Sequence, residues 1–186
     1  MTSIGTSSQT ISISFEFFQK VEAFALFIAA VSTILPKNAS SIFGMYIDYQ
    51  SLSRQFGKDR RVIKDYISYL QESFLISMLG NYRKGNAATL RKRKRAYPTD
   101  NAIIYLYKRE IDDAFFGRMV ESAAINKAKA STFWKNSNEI DMVCEDVPIE
   151  VKYQERIDKN DLKPVEEFMK RFGKKEGVII TKKDEH

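Results

Sequence analysis

The chain has 186 residues, 44% of them apolar and 12% aromatic, which is enough for one ordinary domain or two small ones and excludes a disordered polymer. A single cysteine, Cys144, excludes an internal disulfide and suits a reducing, cytoplasmic setting, while the first 15 residues lack the basic-then-apolar pattern of a secretory signal. The net charge of +6 is unevenly placed: residues 1–53 carry −1, residues 54–95 carry +9 and residues 96–186 carry −2.

Residues 14–35 read as a mostly apolar helix, with Phe17, Val21, Phe24, Ala25, Ile28 and Val31 at three- and four-residue steps and Pro36 at its end. Its longest apolar stretch, 23–35, falls short of the ~20 residues a membrane span needs, so no membrane partner is expected. Two helices follow: "DYQSLSRQFG", stopped by Gly57, and "DRRVIKDYISYLQESF", with Asp59 as its N-cap. Their short glycine-containing joint has the form of a helix-turn-helix. The stretch "FLISMLGNYRKGNAATLRKRKRAYP" then reads as a strand, a turn and a basic return arm, the outline of a wing. "GNYRKGNA" lacks the Lys-Ser/Thr of a P-loop, and no ATP site is legible in the chain. Beyond Pro98 the pattern predicts an apolar segment at "NAIIYLYKREID" and a helix over 113–130. Three short strands follow at "STFWK", "EIDMVC" and "PIEVKY", then a helix at "DLKPVEEFMKRFG" with Pro164 in its first turn, and a last strand at "EGVIITKK".

The basic block points to a polyanion. Arg60, Arg61 and Lys64 open the second helix of the helix-turn-helix, where such residues approach base edges or phosphates. Arg83 and Lys84, with the run Arg91, Lys92, Arg93, Lys94 and Arg95, would add salt-sensitive phosphate attraction and little sequence information. A solvated basic face or an acidic protein partner remains the alternative.

The run 139–153, "EIDMVCEDVPIEVKY", carries the chemistry. A hairpin with its loop centred on Asp146–Val147 would pair Val143 with Glu150 and Asp141 with Lys152. Glu139, Asp141, Val143, Glu150 and Lys152 would then share one face. Ile140, Met142, Cys144, Ile149, Val151 and Tyr153 would share the apolar other face. Crowded carboxylates repel unless one takes a proton or a cation intervenes. Mg²⁺ or Mn²⁺ suits oxygen ligands, and a nearby lysine orients water, the ingredients of phosphodiester hydrolysis. The competing reading is an exposed strand face whose Asp141–Lys152 pair contributes ~0–1 kcal/mol. Phe133 and Trp134 read as core. One histidine, the terminal His186, excludes a Ser/His/Asp triad, and no Cys/His cluster suggests zinc.

Asp141 followed by "IEVK" after a helix bearing Glu121 resembles the PD-(D/E)xK nuclease superfamily. More broadly, "SLSRQFGKDRRVIKDYISYLQESFLISML", "LRKRKRAYPTD", "GRMVE", "FWKNSNEID" and "PIEVKY" resemble, in that order, the C-terminal region of many archaeal and bacterial AAA-type ATPases. The resemblance covers roughly residues 40–183. It implies an α/β chain: a winged helix-turn-helix over 10–95 and a restriction-endonuclease-like αβββαβ domain over 96–186. It also implies Asp141, Glu150 and Glu121 as metal ligands and Lys152 as the catalytic lysine. The residue after the helix glutamate, often Asn in that family, is Ser122. The expected activity is Mg²⁺- or Mn²⁺-dependent cleavage of duplex or branched DNA. The alternatives are a catalytically inactive DNA-binding or docking module associated with an AAA-type ATPase, and a winged-helix transcription regulator, which would bind as a homodimer.

Overall fold

The computed structural model describes residues 43–83, 94–102 and 112–182. The helix expected over 14–35, the apolar segment at 103–111 and the basic residues Lys84, Arg91, Lys92 and Arg93 lie outside the described residues. The rest is a mixed α/β structure. Its elements are β1 (Met45–Ile47), α1 (Tyr49–Phe56), α2 (Arg60–Glu72), β2 (Ile76–Asn81), β3 (Lys94–Pro98), α3 (Asp113–Lys127), β4 (Thr132–Lys135), β5 (Glu139–Cys144), β6 (Val147–Lys152), α4 (Lys159–Phe172) and β7 (Val178–Thr181).

The helix ends follow local chemistry. The Asp48 carboxylate accepts from the N–H groups of Gln50 (3.0 Å) and Ser51 (3.3 Å) to start α1, and Gly57 closes it in the left-handed region at φ +61°. Asp59 caps α2 through the Arg61 N–H at 2.7 Å, and Asp112 caps α3 through that of Phe115 at 2.7 Å. Asp158 and Asp161 form a reciprocal capping box on α4. That box starts α4 two residues earlier than the sequence suggests, so Pro164 falls in the second turn rather than the first.

All seven strands join in one sheet, in the order β1-β3-β2-β4-β5-β6-β7. The pairings are antiparallel except β2–β4 and β6–β7, which are parallel. β3 spans position 95/96 and pairs with both β1 and β2, and β2 pairs in turn with β4, so the hydrogen-bonded ladder runs without a break across that position. From α3 onward the order is helix, three antiparallel strands, helix, and a strand parallel to β6.

Alternation along β2 assigns the helices to faces. Leu79 joins a buried cluster with Tyr97, Phe115, Met119, Ile125, Phe133 and Met142, and Ser77 donates to Asn126 of α3 at 2.8 Å. Ile76 and Met78, pointing the other way, pack with Tyr66 and Leu70 of α2. Phe133 belongs to the α3 cluster, whereas its neighbour Trp134 packs with Val165 and Phe168 of α4. Thus α3 covers one face of the sheet, and α2 and α4 lie against the other. The α4 side is dense in rings: Trp134–Phe168, Phe168–Phe172 and Tyr82–Phe172 have centroids 5.5, 4.6 and 5.2 Å apart.

Candidate functional site

The β5–β6 hairpin turns one residue earlier than the sequence suggests. Glu145 and Asp146 both have positive φ (+48° and +71°), as the two central residues of a type I′ turn require. The register is Met142↔Ile149, Val143↔Pro148 and Cys144↔Val147. The expected pairs Val143–Glu150 and Asp141–Lys152 are therefore not formed. Continued one step, this register sets Asp141 opposite Glu150. The regular ladder stops there, and side chains take over its hydrogen bonds. The Val151 N–H donates to Asp141 Oδ2 (2.9 Å), and the Asp141 N–H donates to Glu150 Oε2 (3.4 Å). Each carboxylate accepts the amide of the opposite strand.

A bulge causes the second departure. Thr132 pairs with Val143 but Trp134 pairs with Ile140, so Asp141 and Met142 both stand opposite Phe133. The extra residue breaks the period-two alternation. Ile140 consequently packs with Trp134 and Val143 around α4, while Met142 packs around α3 with Cys144, Ile149 and Val151 beside it. The single apolar face expected for Ile140, Met142 and Cys144 is therefore divided between two cores. Val143, expected beside the charged residues, is buried on the α4 side.

Asp141, Glu150 and Lys152 meet at the end of the hairpin ladder, and Glu121 of α3 acts on Asp141 through its charge. Glu150 is only 4% exposed, and Lys152 Nζ lies 2.8 Å from its Oε1. Burial raises the Glu150 carboxyl above its ordinary value despite the opposing pull of Lys152. Asp141 is raised well above the carboxylate range, first by burial and then by the neighbouring charges of Glu121 and Glu150. Burial alone would lower Lys152, but Glu150 and Asp141 outweigh it and hold the ammonium charged. Glu121, projecting from α3, accepts from the Tyr97 hydroxyl at 2.8 Å.

Sequence reasoning assigned no role to Tyr97 or Gly44 and placed Arg95 elsewhere. Tyr97 is fully buried on β3. Arg95, two residues earlier on the same face of β3, was expected to reach DNA. It is instead inside the fold, 8% exposed: Nη1 lies 2.6 Å from Glu139 Oε1, and Nε donates to the Gly44 carbonyl at 3.1 Å. Its guanidinium sits over the rings of Tyr46, Tyr97 and Phe133. Glu139 also receives Lys135 (2.7 Å) and the Tyr46 hydroxyl (3.1 Å). The sequence signal was the i, i+2 spacing of Arg95 and Tyr97, hidden within a run of five basic residues. Gly44 is the enabling position: a Cβ there would lie 2.6 Å from Arg95 Nη2 and 2.9 Å from the Tyr97 hydroxyl, and its φ is +69°. Ser122 is fully buried and its hydroxyl donates to the Pro98 carbonyl, at 3.2 Å. Asn126 donates to the same carbonyl at 2.8 Å, so α3 is tied to the end of β3.

Of the cations expected to meet DNA, Arg60, Arg61, Lys64 and Arg83 are exposed and Lys94 is half-buried. The first three lie on α2, across the sheet from α3. A cavity of about 490 Å³, lined by Gln71, Tyr82, Arg83, Lys94, Thr132 and Glu145 among others, does not include Glu121, Asp141, Glu150 or Lys152.

The donor chemistry of Glu121, Asp141 and Glu150 fits a hard divalent cation, because all three offer carboxylate oxygens and Asp141 is destabilised as an anion by the other two. Among the described residues, however, no group of three or more His, Cys, Asp and Glu side chains is already gathered as a metal-binding cluster. The carboxylates are held instead by Val151, Lys152 and Tyr97. Among the described residues no helix is long and apolar enough to cross a membrane.

Comparison with known proteins adds three findings. No solved structure matches the chain. A 94-residue stretch is 26% identical to Autophagy protein 5 of Scheffersomyces stipitis (strain ATCC 58785 / CBS 6054 / NBRC 10063 / NRRL Y-11545), covering 50% of this chain and 31% of that protein, so the chain matches less than a third of that relative's length. A family model described as a domain of unknown function (DUF8612) matches residues 19–113, which end at the start of α3, before the four carboxylate-site residues. The chain belongs to that family, DUF8612.

Proposed function

We propose that the chain is a metal-dependent DNA endonuclease of the PD-(D/E)xK type, with a winged-helix part made by α1, α2 and the β2–β3 hairpin. The observation that carries this reading is the convergence of Asp141, Glu150 and Lys152 at the end of the β5–β6 ladder, with Glu121 of α3 acting on Asp141. The order helix, three antiparallel strands, helix, parallel strand supports it.

Glu121, Asp141 and Glu150 would hold Mg²⁺ or Mn²⁺. When bound, the ion supplies Lewis-acid activation of a phosphodiester and lowers the pKa of a water. The chain's own residues do the rest. Lys152, held charged by Glu150, orients the attacking water and steadies the developing negative charge on phosphate. The amides of Val151 and Asp141 hold the two carboxylates against rotation. Burial of Glu150 excludes bulk water from one side of the site. Arg60, Arg61 and Lys64 contact the DNA backbone from the start of α2, and Arg83 and Lys94 contact it from the base of the wing. A cytoplasmic setting belongs to the same proposal.

A second reading has its own support. No ready three-donor metal cluster exists among the described residues, and the exposed cations of α2 lie across the sheet from α3. That arrangement suits a DNA-binding or docking module, partnered by an AAA-type ATPase, in which the carboxylate cluster is a structural remnant.

One assay separates the two. The purified chain is incubated with plasmid, linear, single-stranded and four-way-junction DNA in Mg²⁺, Mn²⁺ or EDTA, beside Asp141→Asn and Lys152→Ala. Cutting that needs metal and disappears in both variants supports the nuclease. Equal DNA binding by all three proteins with no cutting in any condition supports the module.

A further inference from the structure

We infer that Tyr97 is a positioning residue for Glu121: its buried hydroxyl holds that carboxylate beside Asp141, so that the two can share one divalent cation. This rests on the reading of Glu121 and Asp141 as metal ligands.

The hydroxyl is not needed for packing. The Tyr97 ring already lies among Leu79, Phe115, Phe133 and Met142, where a phenylalanine ring would fit as well. Nor is it needed to dock α3 on β3, because Ser122 and Asn126 both donate to the Pro98 carbonyl and Asn126 also reaches that of Thr99, at 3.2 Å. A buried hydroxyl costs desolvation unless it is bonded, and this one has a specific acceptor, Glu121 Oε1 at 2.8 Å. Room for it is kept open by Gly44, since a Cβ there would lie 2.9 Å from the hydroxyl oxygen. The Arg95 guanidinium stacks over the Tyr97 ring at 5.6 Å and restricts its movement.

The effect on Glu121 follows. A glutamate on a helix has three side-chain torsions and samples several directions. Fixing one carboxylate oxygen to a rigid, buried donor removes most of that freedom and leaves the other oxygen for a ligand. The helix α3 packs against β5 and β6, and the Glu121 charge raises the Asp141 carboxyl more than any other charge does. Hydrogen-bond partners that orient metal ligands in this way commonly contribute about tenfold to a hundredfold in affinity.

The test measures Mn²⁺ affinity of the full chain from the electron paramagnetic resonance signal of free Mn²⁺, with melting temperature in EDTA recorded alongside. The proteins are wild type, Tyr97→Phe, Glu121→Gln, the double variant, and Tyr82→Phe, which deletes a hydroxyl that donates to Asp146 instead (2.7 Å). Tyr97→Phe is expected to weaken Mn²⁺ binding about tenfold to a hundredfold with little change in melting temperature, and Tyr82→Phe to leave affinity at the wild-type value. The double variant should bind no more weakly than Glu121→Gln alone, because Tyr97 acts only through Glu121. Unchanged affinity in Tyr97→Phe, or additive losses in the double variant, overturns the positioning role while the metal site stands. A wild-type chain that does not bind Mn²⁺ overturns the metal site and the positioning role together.

Discussion

The two cores of this sheet are built on opposite principles. Around α4, Trp134, Phe168, Phe172 and Tyr82 pack ring against ring, and stability comes from area removed from water. Around α3, the apolar cluster of Tyr97, Phe115, Phe133 and Met142 meets Arg95, Glu121 and Ser122, and polar groups are buried in exchange for specific partners. A ring core loses in proportion to the contact area removed, because dispersion is spread over many contacts. A polar core loses partner by partner, because each unpaired group costs about 1–3 kcal/mol. Residues placed at that cost are better candidates for chemistry than residues placed by packing alone.

Four substitutions sharpen the contrast. Phe168→Ala should have the largest effect, about 3–5 kcal/mol of lost stability by chemical denaturation, since Phe168 is fully buried and three rings lean on it. A loss below about 1 kcal/mol would mean the ring cluster collapses to fill the space. Arg95→Met should cost about 1.5–3 kcal/mol, because Glu139 loses its most buried partner while keeping Lys135 and the Tyr46 hydroxyl. Adding Glu139→Gln should recover much of that loss. If it recovers none, the guanidinium stabilises through its stacked rings rather than its charge.

Asp141→Asn should move stability the other way, and with pH. An unfolded Asp ionises near ~4, whereas the folded Asp141 holds its proton to higher pH because of burial, Glu121 and Glu150. Between those two values the native state binds the extra proton, so wild-type stability falls as pH rises through the window, and the penalty is complete above it. Asparagine can still accept from the Val151 N–H but carries no charge. In EDTA the variant should melt a few degrees above wild type at pH 7 and approach it near pH 4. A gap of equal size at both pH values would remove the electrostatic explanation. The smallest effect should come from Phe74→Gly. Phe74 sits just past the end of α2 with φ +54° and 80% of its surface exposed. A glycine there should gain about 1 kcal/mol, by relief of left-handed strain. A loss instead would show that the exposed ring has a packing role.

Much of the architecture was legible because local rules operate over a few residues. Asp48, Gly57 and Asp59 mark helix ends through their own side chains or their lack of one, so the α1–α2 joint was readable. The spacing Asp141, Glu150, Lys152 across a short turn brings those groups together in any tight hairpin, so their proximity did not depend on the exact register. Arg95 was misplaced for a related reason. A run of five basic residues looks like a solvated arm, and nothing local distinguishes the one side chain that turns inward to meet Glu139, 44 positions later in the chain.

The sequence by itself determined the mixed α/β character, most element positions and the placing of Asp141, Glu150 and Lys152 on one hairpin, because propensity, capping and hydrophobic period are properties of short windows. Only the tertiary structure decided the rest. The type I′ turn at Glu145–Asp146 set the register and placed Asp141 opposite Glu150 rather than Lys152. The bulge opposite Phe133 sent Ile140 and Met142 into different cores. Parallel pairing of β2 with β4 joined the two halves into one sheet, and the packing of α3 on β3 brought Tyr97 to Glu121. Each of these is a contact between residues distant in sequence or a choice between near-equal backbone registers. The energy that selects among them comes from burial of the whole sheet, which no short window contains.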